Sequence, residues 1–86
     1  MGSFEVIWKR SAERDLSKLD RQHIARVVEA VETLKTTPFP AGCRKLRGSD
    51  MDYRIRIGDV RVVYQVDAAA KQVTIYYVRH RSDAYR

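Results

Sequence analysis

Phe4, Val6 and Trp8 occupy every second position of Phe4-Glu-Val-Ile-Trp8, the spacing of a short strand with one buried face. Ser11 then stands where a helix N-cap belongs. It predicts a short helix from Ala12 to about Leu19, with Glu13 and Asp15 suiting the positive N-terminal end. Asp20 is a second cap residue. Beyond it, Ile24, Val27, Val28, Val31 and Leu34 follow the i, i+3, i+4, i+7 spacing of one buried stripe. Thr36-Thr-Pro-Phe-Pro40 ends that helix, because a residue preceding proline is pushed out of the α region. The short loop between the helices implies an antiparallel helical hairpin.

The rhythm returns to two in Tyr53-Arg-Ile-Arg-Ile-Gly-Asp-Val-Arg-Val-Val-Tyr64, which reads as a β-hairpin with strands at roughly 52–58 and 60–67. Gly58-Asp59 is a two-residue turn, and glycine in its first position suits type II′. Such a turn sets Ile57 opposite Val60, Arg56 opposite Arg61, Ile55 opposite Val62 and Arg54 opposite Val63. Because side chains alternate along a strand, Ile55, Ile57, Val60 and Val62 share one face, and Arg54, Arg56 and Arg61 share the other. Asp67-Ala-Ala-Ala-Lys71 leads to a last strand, Gln72 to about Val78, whose lack of clean alternation suits an inner strand covered on both faces. The expected order is β-α-α-β-β-β within a single domain, residues 1–86. It is an α+β fold, a mostly antiparallel sheet with a helical hairpin on one face and the arginine face left open.

Charge sharpens that picture. The chain of 86 residues has a formal net charge of +6 and a sequence pI ≈ 9.8, which favours a polyanionic partner such as nucleic acid. Residues 44–86 hold ten Lys/Arg against five Asp/Glu, whereas residues 1–43 hold seven against six, so the positive field belongs to the half with the hairpin. Like charges facing each other across a ladder are destabilising by roughly 0.2–1 kcal/mol. Arg56 opposite Arg61 is therefore easiest to understand if an anion, a phosphate above all, sits there. Cys43 is the single cysteine, which rules out an intrachain disulfide and favours a reducing, cytoplasmic setting. No apolar run approaches the ~18 residues of a membrane span, and no signal-peptide core is present.

Candidate chemistry is cationic and aromatic. His23 and His80 lie far apart in the chain, and no Cys/His/carboxylate set has ligand spacing, so neither a metal nor another cofactor is expected. No Gly-rich phosphate loop or nucleophile elbow occurs. Arg54, Arg56 and Arg61 could instead converge with Arg81 and Tyr85 from the C-terminal segment. Arg44-Lys45-Leu46-Arg47 reads as a solvated start to a strand, with Leu46 turned inward.

Lys45-Leu-Arg-Gly48, Tyr53 to Tyr64, and Val78-Arg-His-Arg-Ser-Asp-Ala-Tyr85 resemble, in this order and spacing, the RelE/ParE superfamily of toxin–antitoxin toxins, and within it the RelE branch. The resemblance runs from Phe4 to Arg86. It implies a microbial-RNase-like fold and a messenger-RNA endonuclease that cuts in the A site of the 70S ribosome and is neutralised by a small RelB-like antitoxin. On the matching positions, Arg54 and Arg56 stand where well-studied members carry lysine. Arg61 and Arg81 match family arginines, Tyr85 matches the C-terminal tyrosine, and Lys45 and Arg47 would contact RNA. Attack of a ribose 2′-OH on its phosphate needs a proton acceptor, and arginine, with a pKa above about 12, is a poor one. Tyr85 and His80 are the nearby groups able to move protons. Two other classes fit the same residues: a ParE-like inhibitor of DNA gyrase, and an RNA- or ribosome-binding module that blocks translation without cutting.

Overall fold

In a computed structural model, which describes residues 3–81, Gly58 has a φ of 60° while Asp59 stays out of the left-handed region, the II′ pattern. The strands it joins are β3 (Asp52–Ile57) and β4 (Val60–Asp67); the four expected pairs, from Ile57 opposite Val60 to Arg54 opposite Val63, are all present, and the ladder continues to Asp52 opposite Gln65. Before them come β1 (Glu5–Trp8), α1 (Arg10–Ser17), α2 (Arg21–Thr33) and a two-residue strand, β2 (Arg44–Lys45); β5 (Gln72–His80) follows. The sheet runs β1-β5-β4-β3-β2, with β1 parallel to β5 and every other pair antiparallel. The architecture is α+β as expected, with β2 added at the edge. Two residues are too few for periodicity to reveal, and β2 exists because Arg44 and Lys45 pair with Arg54 and Tyr53.

The core lies between α2 and one face of the sheet. Val27, Val31 and Leu34 meet Val60, Val62, Tyr64 and Val66 of β4 and Val73, Ile75 and Val78 of β5, all nearly or fully buried. Burying each such side chain contributes about 1.5–3 kcal/mol. Tyr64 is fully buried, and its hydroxyl donates to the Pro38 carbonyl at 3.0 Å, which ties the loop after α2 to the sheet. Burial raises the pKa of this phenol. Val28, assigned to the buried stripe by spacing, is 40% exposed, because it lies at the margin of a stripe centred on Val27 and Val31.

Helix α1 departs from expectation in an informative way. It starts at Arg10 and stops at Ser17, and its N-cap is Lys9, with no side-chain cap bond. Ser11, expected to cap the helix, donates its hydroxyl to the Tyr76 carbonyl at 2.7 Å. Asp15 accepts the Val78 N–H at 3.2 Å, and the Lys9 N–H donates to the Ile75 carbonyl at 3.0 Å. The reason is an edge. β1 pairs with β5 only from Gln72 to Ile75, so the rest of β5 would present unpaired backbone on that side. Residues 9–15 cover it.

A second irregularity lies inside β5. Val63 pairs with Tyr77 but Tyr64 pairs with Ile75, which leaves Tyr76 as the extra residue of a bulge. The broken alternation of this strand thus records a bulge as well as its inner position.

The cap at Asp20 is as expected: its carboxylate accepts the His23 N–H at 2.9 Å and also meets the His23 ring nitrogen Nδ1 at 2.8 Å. The backbone bond from His23, followed by the ring contact, holds the Asp20 carboxyl below its ordinary value. A lowered folded-state pKa gives stability that is present above the unfolded value and fades as pH falls through the folded one. Asp20→Ala should therefore melt below the wild type at pH 7, with the gap closing below about pH 4. Thermal melts across pH check this; a gap unchanged at acid pH would show that the cap acts without its charge.

Candidate nucleic-acid interface

The face of the sheet turned away from α2 carries two cross-strand rows. Arg44, Arg54, Val63 and Tyr77 are successive partners from β2 to β5, and Arg56, Arg61 and Arg79 are successive partners from β3 to β5. Directly opposed residues project from the same face, so five arginines converge there. Arg54, Arg56 and Arg61 are the three read from the hairpin. Arg44 and Arg79 were missed: the first depends on the pairing of a two-residue strand, the second on a register set beyond the bulge. A period-two Arg79/Arg81 pair at the end of a strand was the available signal.

Their electrostatics are those of crowded positive charge without local compensation. Among the described residues, no carboxylate lies within ion-pair distance of Arg44, Arg54, Arg56 or Arg61. Arg54 has its pKa lowered, first by partial burial and then by the charges of Arg56, Arg61 and Arg44. The Nε of Arg61 is buried with no acceptor among the described residues. A buried donor left unpaired is destabilising by about 1–3 kcal/mol, which an arriving oxyanion would relieve once the guanidinium turned toward it. Arg79 is held differently: its Nε is 3.5 Å from Asp15 Oδ2, and its guanidinium lies over the Tyr77 ring at 4.7 Å. The planar, forked guanidinium is well matched to phosphate oxygens.

Other candidates are placed elsewhere. Arg81 donates its backbone N–H to the Asp59 carbonyl, which sets it at the turn end of the rows, and Tyr85 lies outside the described residues. His80 pairs with Val60, so its ring belongs to the helix side, where it meets His23 edge-on at 5.3 Å. The sheet separates it from the arginines. Lys45 pairs with Tyr53, also on the helix side, and its ammonium is 3.8 Å from Asp50. Arg47 is exposed beyond β2. Leu46 lies over the arginine side and not toward the helices, beside Asp52 and Val63. Among the described residues no group of three or more His, Cys, Asp or Glu side chains is arranged to hold a metal ion, and no helix is long and apolar enough to cross a membrane.

Known proteins share this fold. The toxin of the RelBE2 toxin–antitoxin complex from Mycobacterium tuberculosis superposes with a TM-score of 0.81 at 30% identity, covering 92% of this chain and 99% of that one. The archaeal RelE–RelB complex from Pyrococcus horikoshii gives 0.83 at 28% identity, over 92% and 96%. The fold is thus that of RelE-like toxins. In sequence, a putative toxin RelE1 of Methanocaldococcus jannaschii is 35% identical over 86 residues, 96% of each chain. Toxin RelG of Mycobacterium tuberculosis is 34% identical over 84 residues, 96% of this chain and 97% of the relative. The model of the ParE toxin of type II toxin–antitoxin systems matches residues 6–85. The chain belongs to this family: it is the RelE-like toxin of a type II toxin–antitoxin system.

The crowding of charge has a measurable signature. Salt screens exposed charges, with a Debye length of about 30 Å at 0.01 M and about 3 Å at 1 M. Raising the salt concentration should therefore raise the melting temperature of the wild type. Arg61→Ala should be folded, should melt at or slightly above the wild type at low salt, and should respond less to added salt. A variant that melts well below the wild type would show that Arg61 is instead a structural support.

Proposed function

We propose that this toxin is a ribosome-dependent endoribonuclease, which works without a metal ion and cuts messenger RNA in the A site of the 70S ribosome by attack of a ribose 2′-OH on the adjacent phosphate. The observation that carries the proposal is the arginine rows: among the described residues, four of the five guanidiniums have no carboxylate partner and the buried Arg61 Nε has no acceptor. Arg61, flanked by Arg56 and Arg79, faces the scissile phosphate and stabilises the charge that gathers on its oxygens in the transition state. Arg54 and Arg44 hold the neighbouring phosphate, and Arg81 reaches in from the turn end. None of these arginines is the base. Tyr85 is the residue that the family resemblance supplies for proton transfer, because His80 is held beside His23 across the sheet. Lys45 and Arg47, away from the rows, serve docking on ribosomal RNA.

Two of the similar structures, the RelBE2 toxin–antitoxin complex and the archaeal RelE–RelB complex, hold a toxin with its antitoxin, which supports a cognate antitoxin here, an acidic segment that folds as it wraps the toxin. Such a protein acts in the cytoplasm, with the ribosome. A second reading, inhibition of DNA gyrase, draws support from the description of the matching family as ParE.

Primer extension on purified programmed ribosomes separates the readings. Discrete cuts with a 2′,3′-cyclic or 3′-phosphate end are expected. Arg61→Ala should lower the rate by about 10²–10³, as loss of one preorganised donor does. Arg61→Lys should recover only part, since it keeps charge without the fork. Intact message together with gyrase-dependent DNA breaks would favour the ParE reading, and a 5′-phosphate product would overturn the metal-free route.

A further inference from the structure

Beside the arginine rows, on the same face, lies a groove of about 420 Å³, within the range of small-ligand clefts. Ser11, Leu46, Asp52, Val63, Tyr76 and Tyr77 line it. The bulge in β5 is what makes it, since two consecutive tyrosines reach one face only where alternation is broken. Val63 is the floor. It is nearly buried, yet it stands outside the core cluster on the other face.

The groove joins the arginines directly. Val63 is the ladder partner of both Arg54 and Tyr77, and the Arg79 guanidinium covers the Tyr77 ring. Asp52 projects from the same face of β3 as Arg54, two residues away, or roughly 7 Å along a strand. Asp52 is anomalous here. It is a carboxylate on a cationic surface, no arginine pairs with it, and its Oδ1 is buried without a donor among the described residues. The structure thus leaves an acceptor unmet in an aromatic groove one step from a phosphate-sized anion site.

We propose that this groove takes a nucleobase of the RNA strand whose phosphate lies on the arginine rows, that the base is guanine, and that Asp52 selects it. The proposal rests on the reading of those rows as an RNA site. A single-stranded base is flat and apolar on its faces, which suits a groove walled by Tyr76, Tyr77 and Leu46. Its edge decides which base. Guanine presents two adjacent donors, N1–H and the 2-amino group, that match the two oxygens of a carboxylate. Adenine and cytosine set an acceptor beside their amino group, and uracil flanks its one N–H with two carbonyls, so each turns a lone pair toward Asp52. Engagement needs a rotation about the Asp52 Cβ–Cγ bond, a broad torsion for an sp³–sp² bond.

The test uses the full chain and six-nucleotide single-stranded RNAs, uridine throughout except for one guanine or, in the matched oligonucleotide, one inosine, which lacks the 2-amino group. Binding is followed by fluorescence anisotropy at fixed low salt for the wild type, Asp52→Asn and Arg61→Ala. The wild type should prefer guanine to inosine by about 10-fold, within what a bidentate base contact supplies. The isosteric Asp52→Asn should bring the two RNAs within about twofold of each other. Arg61→Ala should weaken both alike and keep their ratio. An unchanged ratio in Asp52→Asn, or no preference in the wild type while Arg61→Ala still weakens binding, would overturn the base groove and leave the phosphate site standing. Failure of the wild type to bind either RNA would overturn the base groove, and the phosphate site would fall with it only if programmed ribosomes also stay uncut.

Discussion

The two-residue turn at Gly58 is the constraint on which everything else depends. A II′ turn allows one register, and in that register Arg56 faces Arg61. A slip of one residue would carry every side chain of β3 to the other face, sending the arginines into the core and Ile55 and Ile57 into water. The hydrophobic face thus enforces the charged one. Five like charges remain together because the apolar contacts of Val60, Val62 and Tyr64 with α2 outweigh their repulsion. Repulsion across a ladder is measured in tenths of a kcal/mol per pair, whereas each buried aliphatic contributes more than one.

The site also draws on parts of the chain remote from the hairpin. Asp15 of α1 bonds the Val78 N–H and pairs with Arg79, so the carboxylate that covers the open edge of β5 also steadies one end of the arginine row. The bulge at Tyr76 is a second link between fold and site. It returns β5 to register with β4 while bringing two aromatic rings to the polar face beside Asp52. Both devices lie where β5 loses its neighbour β1, the place where a regular sheet would have ended in an unpaired edge.

Much of this was legible in the sequence. Hairpin, register, long helix and Asp20 cap are local features, each set by residues within a few positions of one another, and each was read from turn chemistry or spacing. What escaped depends on contacts between distant segments. Ser11 and Asp15 look like ordinary helix-start residues, and only the end of β1 pairing at Ile75 turns them toward β5. Arg44 and Arg79 join the rows through pairings with no local signature. His80 looked like a site residue because it neighbours Arg79 and Arg81 in sequence, but alternation sends it to the opposite face, against His23. Arg81 is exposed, its backbone held by Asp59 at the turn.

The most direct test of the arginine rows as the anion site is the NMR spectrum of the arginine Nε–H groups during titration with a short single-stranded RNA made uncleavable by 2′-O-methylation. The Arg61 signal should move most, as its unpaired donor gains an acceptor, and Arg54, Arg56 and Arg79 should shift with it. Arginine signals that stay fixed while residues of α1 and α2 respond would contradict the central claim and place nucleic-acid binding on the helical side.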